Sequence, residues 1–332
     1  MNRLFRSSTS MVSLSVGIFV SIIATIPILW AQDGYTPIVM WGSEGEGDGQ
    51  FSGLNDVIST GQYIYVPDYE NHRVQMFAPN GEFIKTWGSS GEAQGQLNKP
   101  HSMTYDSHGN VYVTDMNNHR IQKFDSQGNF ISMWGSEGEG NGQFLHPHGI
   151  GIDSKDNVYV TDAELLNVQK FDSNGNFITK WGSEGEADGQ FAWLESVDTD
   201  SRDNVYVVDM DNERVQKFTS DGQFISKWGT GGEANGQFRK PAGIAVDASD
   251  NVYITDQNNG RVQKFTSNGQ FIAAWGTTGD GRDQFSQPEG IDVDDSGQIY
   301  VADTGNNRVK VFAAGTVPTN TTSALTISAT DT

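Results

Sequence analysis

The chain has 332 residues, 36% of them hydrophobic and 11% aromatic, enough apolar side chain for a large core. Its 42 Asp and Glu outnumber 21 Lys and Arg, and the resulting formal charge of −21, with no basic cluster to offset it, opposes binding to nucleic-acid phosphates or anionic lipid. Cysteine is absent, which excludes thiol catalysis, Cys-ligated zinc and disulfide stapling.

Residues 1–33 read as a segment separate from the fold. Arg3 and Arg6 precede an apolar run from Met11 to Trp30, followed by the small Ala31 and the polar Gln32-Asp33-Gly34. That layout is a signal peptide, and the run is also long enough for an uncleaved N-terminal membrane anchor. In both cases the rest of the chain is expected outside the cytoplasm, secreted or at the cell surface, with membrane contact only through this segment if it is retained.

From Tyr35 onward the chain repeats. Trp-Gly pairs stand at Trp41, Trp87, Trp134, Trp181, Trp228 and Trp275, spaced 46, 47, 47, 47 and 47 residues apart. Each unit holds four β-branched or aromatic segments bounded by turn residues. In the fifth unit these are strand a at Gly243–Asp247, b at Asn251–Asp256, c at Arg261–Phe265 and d at Gln270–Trp275. Tight turns such as Asn80-Gly81, Gln127-Gly128 and Asn174-Gly175 join c to d, with Gly supplying positive φ. Strand b reads Val-Tyr-Val without alternation, as expected when both faces of a sheet are covered.

These features predict an all-β, six-bladed β-propeller of four-stranded blades over residues 34–315. The last unit ends at Phe312 without a d strand, whereas Tyr35–Trp41 reads as a d strand without a blade. The N-terminal strand is therefore expected to pair with Arg308–Phe312 and close the ring. The Thr/Ser-rich segment 316–332 has little to bury and reads as a disordered tail.

Comparison between units separates scaffold from candidate site. The element D-x-x-N-x-R recurs as Asp68/Asn71/Arg73, Asp115/Asn118/Arg120, Asp209/Asn212/Arg214, Asp256/Asn259/Arg261 and Asp303/Asn306/Arg308, and suits a closed turn with an arginine bridge. The acidic Gly-rich loops, with Glu46, Glu92, Glu139, Glu186, Glu233 and Asp280, could attract a hard cation such as Ca²⁺, although their spacing matches no defined calcium loop. The position at the start of strand a varies: Asn55, His101, His148, Glu195, Ala242 and Glu289. These six are expected to ring the mouth of the axial channel on the top face, where His101, His148, Glu195 and Glu289 form a candidate metal set suited to zinc, the alternative being a solvated polar rim. The third unit breaks the scaffold pattern with Ala163-Glu164-Leu165-Leu166-Asn167, and Trp193-Leu194 follows where other units have Lys-Pro or Gln-Pro. Leu165, Leu166 and Trp193 are therefore expected beside His148 and Glu195 as a ligand- or partner-binding patch; alternatively Trp193 fills the space left by the missing arginine.

The motifs G-Q-F-x-x-P-x-G-I-x-V-D, N-V-Y-V-T-D, N-x-R-V-Q-K-F and G-x-F-I-x-x-W-G resemble the NHL repeat across Tyr35–Phe312. This resemblance implies a six-bladed propeller, a fold whose members serve as RNA-binding modules, adhesion or sensor domains, and lyases. A narrower one attaches to H-P-H-G-I-G-I-D and N-V-Y-V-T-D-A-E-L-L-N-V, which are similar to a blade of peptidyl-hydroxyglycine amidating lyase, a histidine-zinc propeller. It implies zinc ligation by His148 and His101, while Ala242 stands where that enzyme's third ligand would fall, leaving Glu195 or Glu289 to substitute. No nucleophilic triad, P-loop or dinucleotide motif stands in a fitting context. The expected function is an extracytoplasmic scaffold binding a peptide, protein or glycan through its top face; the alternative is a metal-dependent lyase or hydrolase.

Overall fold

The computed structural model describes residues 35–313; the segment expected as signal or anchor and the Thr/Ser-rich tail lie outside the described residues. Six antiparallel sheets of four strands are formed. Five are built from consecutive strands. The sixth runs Pro37–Trp41, Arg308–Phe312, Ile299–Asp303, Ile291–Val293 in spatial order, so the N-terminal strand closes the ring. Val39 lies opposite Val311, Met40 opposite Lys310 and Trp41 opposite Val309.

Burial follows strand position. The b strands, such as Val111–Asp115 and Val158–Asp162, are buried throughout, whereas the outermost d strands, such as Phe130–Trp134, alternate between half-buried and exposed. The apolar core accordingly lies between blades. One cluster joins Ile64, Val66 and Phe77 of the first blade to Tyr300, Ala302, Val309 and Val311 of the sixth. Strand a begins earlier than the turn residues suggest: Pro241–Val246 in the fifth blade instead of Gly243–Asp247. In the first and sixth blades it shortens to Ile58–Ser59 and Ile291–Val293.

The Trp-Gly periodicity has a packing cause. Five of the six d-strand indoles lie against the glycine of the next blade's c–d turn. At Gly128 (φ +76°) an added Cβ would fall 2.5 Å from Trp87 Cδ2. Gly128→Ala is thus expected to lower stability by about 1–3 kcal/mol through overpacking at a left-handed position, read as a shift in the urea midpoint; an unchanged midpoint would show that the indole yields freely. Trp275 has no such glycine, because the sixth blade's c–d link is replaced by the two chain ends, and Tyr35 stacks on it with ring centroids 3.9 Å apart and planes 14° from parallel.

On the top rim, the D-x-x-N-x-R element ties each b–c turn to the loop arriving from the previous blade. Arg120 donates through Nε to Asp115 Oδ2 at 2.7 Å and through its terminal nitrogens to the carbonyls of Glu92, Ala93 and Gln96 at 2.6, 3.1 and 3.0 Å. Asn118 donates to Gly91 O. The recurring Asn and Arg are therefore scaffold donors in five blades.

Candidate functional site at the axial mouth

The mouth residues are aimed inward by irregular strand starts. Pairing of strands a and b shifts register between Pro100 and Met103 and between Pro147 and Ile150, placing His101 and His148 in the bulges. The threonine of each neighbouring b strand fixes the bulge: Thr161 Oγ1 accepts from Gly149 N at 2.8 Å, and Thr114 Oγ1 donates to His148 O at 3.1 Å. Gly149 also permits close approach of the next blade, since a Cβ there would fall 2.6 Å from Glu195 O.

Three mouth residues converge. His101, His148 and Glu195 are all buried, and one ligand atom from each lies within 4.8 Å of the others. The two imidazoles are 3.6 Å apart between centroids. His148 Nδ1 is 3.3 Å from Glu195 Oε1, and the other carboxylate oxygen accepts from the Trp193 indole N–H at 3.0 Å. Trp193 stands edge-on to His146 and His148, with ring centroids 5.9 and 6.0 Å away.

The two histidines are driven apart electrostatically. Burial, with repulsion from His148 and His146, holds His101 well below the usual imidazole range, so it is neutral, and its Nδ1 is buried without a hydrogen-bond partner. Burial acts against charge on His148 as well, but the adjacent Glu195 carboxylate overcomes it and raises the group. Glu289 accepts from Gln257 Nε2 at 2.9 Å, outside the three-residue cluster; burial, then Glu195 and Asp56, push its carboxyl up to about 8. Its neutral form is therefore favoured near neutral pH. Asn55, His101, Glu195 and Glu289 line a cavity of about 20 Å³, room for one or two waters, whereas Ala242 leaves its wall apolar at that position.

Leu166 adopts φ +54° and packs against the cluster shared by the third and fourth blades, while Leu165 is half-buried on the rim. Trp193, Leu165 and Leu166 are thus all half-buried, and of the three it is Trp193 that contacts the mouth residues. The exposed large apolar residues among the described residues instead lie on the outer strands, with Ile38, Ile84, Ile131, Ile178, Ile225 and Ile272.

Deeper in the channel lies a second cavity of about 60 Å³, lined by Asp56, Asp198, Asp292 and Tyr105 among others. Each aspartate spans two blades: Asp198 Oδ2 accepts from Val246 N, Asp292 Oδ2 from Ser59 N, and Asp56 Oδ2 from Ser102 Oγ and Met103 N. Burial raises Asp56 to about 6 and Asp198 and Asp292 to about 7. Asp198 and Asp292 stand where other units have Ile58, Thr104, Gly151 and Ala245, a contrast legible by repeat comparison that the mouth positions overshadow.

The NHL repeat family model matches residues 97–124, 238–265 and 285–312. No curated protein matches in sequence. Among solved structures, a streptogramin B lyase superimposes with TM-score 0.59 at 14% identity, covering 81% of this chain and 95% of that one. A virginiamycin B lyase from Staphylococcus aureus with quinupristin gives 0.57 at 15%, covering 86% and 97%. A protein of unknown function from Bacteroides thetaiotaomicron gives 0.64 at 17%, covering 85% and 76%. At these identities the likeness is one of fold.

Proposed function

Because the chain is a six-bladed propeller of NHL repeats, we propose that it is an extracytoplasmic recognition scaffold that holds a peptide, protein or glycan at the axial mouth of its top face. The observation that carries this reading is the joined constellation of Trp193, Glu195 and His148: a half-buried indole whose N–H is held by a carboxylate that is itself paired to an imidazole. An aromatic platform beside buried polar groups is the composition of a recognition hot spot. The mouth positions differ among blades where the D-x-x-N-x-R element recurs in five, so the mouth is the part of the frame released from scaffold duty. On peptide and glycan arrays, Trp193→Ala is expected to weaken retained ligands by about tenfold or more, with little change in melting temperature. Ligands bound equally well by the variant would move the site elsewhere.

A second reading, a metal-dependent lyase, is favoured by the unpartnered Nδ1 of neutral His101 beside His148 and Glu195. Two imidazoles and one carboxylate fit zinc; they do not fit calcium, which takes six to eight oxygens. His101, His148 and Glu195 would hold the ion, which would supply Lewis-acid polarisation of a bound substrate. The resemblance to amidating lyase and the fold shared with the lyases support this alternative. Purified protein is expected to carry about one zinc per chain without added metal, and His148→Ala to lose it; metal-free wild-type protein would remove the lyase reading and leave the scaffold reading intact.

A further inference from the structure

We infer that the third blade receives a guanidinium group, the arginine side chain of a protein or peptide partner, in the rim frame that five blades fill with an arginine of their own. Arg214 repeats the contacts of Arg120, donating to Asp209 Oδ2 at 2.8 Å and to the carbonyls of Glu186, Ala187 and Gln190 at 2.6, 3.1 and 2.7 Å. Asp68, Asp256 and Asp303 each pair with an arginine at 2.7 Å. In the third blade the strand register is the same, and Asn167 stands opposite Asp162 as Arg120 stands opposite Asp115.

The acceptors are kept while the donors are lost. Asp162 is fully buried and forms no ion pair among the described residues; it accepts only backbone N–H groups, from Leu145, His146, Glu164 and Leu165. Leu165 replaces the asparagine that donates to the loop carbonyl in the other blades. Asn167 is only 8% exposed, and its Oδ1 has no hydrogen-bond partner. Of the loop carbonyls, Gln143 O keeps its Gln169 donor at 2.7 Å and Glu139 O is met by Lys180 from the exposed outer strand at 3.2 Å, so neither contact brings a cation to Asp162.

A buried carboxylate without a counter-ion is costly, and a planar fork is the cation whose donors match these acceptors, as the intact blades demonstrate. An ammonium presents a point charge, and calcium needs more oxygens than this frame offers. The charge of −21 favours encounter with a basic partner. The frame lies on the rim beside Leu165 and does not depend on the mouth reading.

Wild-type protein and Asn167→Arg are to be titrated with ethylguanidinium, ethylammonium and calcium chloride, read by calorimetry and thermal shift at millimolar ligand. Ethylguanidinium is expected to bind and stabilise the wild type, with affinity at least about tenfold weaker in Asn167→Arg, where the fork is supplied within the chain. Equal responses in both proteins, no response, or an equal response to ethylammonium or calcium overturns the inference. Should Asn167→Arg fail to fold, a wild-type crystal soaked in ethylguanidinium decides: density between Asp162 and the Glu139–Gln143 loop supports the site, and its absence there overturns it.

Discussion

Deleting Tyr35–Trp41 is expected to abolish the cooperative fold of the entire propeller. The segment supplies the outer strand of the sixth blade, and Val39 and Trp41 pack on the cluster that joins that blade to the first. Tyr35 stacks on Trp275, and Pro37 O accepts from Arg282 at 2.5 Å. Truncating one fully buried aromatic costs about 3–5 kcal/mol, and this segment takes away two half-buried ones, Tyr35 and Trp41, together with a whole strand ladder, against a total stability on the order of 5–15 kcal/mol. The deletion also bares the edge of Arg308–Phe312, a template for intermolecular pairing. Circular dichroism melts and sedimentation should show an unfolded or aggregated chain. A monomer melting as the wild type does would mean that the ring holds without its latch.

The second large effect is a stability maximum on the acid side of neutrality. Asp56, Asp198, Asp292 and Glu289 are raised to about 6, 7, 7 and 8, chiefly by burial. The folded state therefore binds protons that the unfolded chain has released. Their contribution is fully present below the ordinary carboxylate value near 4 and is lost as pH rises through about 6 to 8. Other aspartates have the opposite sign: burial disfavours charge on Asp106, Asp153 and Asp200, but hydrogen bonds from Asn110, Asn157 and Asn204, with Lys123 and Lys217 assisting at the first and third, hold them below the usual value. Their stabilisation is present above about 4 and is lost in stronger acid. Stability is expected to peak near pH 5 and to fall toward pH 8 by an amount on the order of a few kcal/mol. Self-repulsion of the net charge acts in the same direction but is screened by salt, whereas the buried carboxylates are not. Urea midpoints in high salt that stay flat from pH 5 to 8 would show that these four groups titrate normally in the folded protein.

Much of this was legible in the chain because repetition makes each unit a control for the others. The blade count, the hairpin glycines and the closing strand follow from the Trp-Gly spacing, from the extra d segment at the front of the array and from the missing one at its end. The mouth positions could be named because they vary where the frame does not. Which of them meet could not be read, since His101, His148 and Glu195 are 47 residues apart in succession and differ in spacing not at all from Ala242 and Glu289. Leu166 illustrates the same limit: its packing against the cluster shared by the third and fourth blades, at a left-handed backbone position, is not signalled by the Leu165-Leu166 pair in the chain.

By itself the sequence determined the architecture, because a 47-residue period of β-branched and aromatic segments can bury its apolar faces only against copies of itself. Tertiary structure alone decided the chemistry at the axis and on the third blade's rim. Convergence of side chains from different blades, their separation from water and the partners left to each polar atom depend on how strand starts bulge and how neighbouring blades approach, and these are distances that no spacing along the chain encodes.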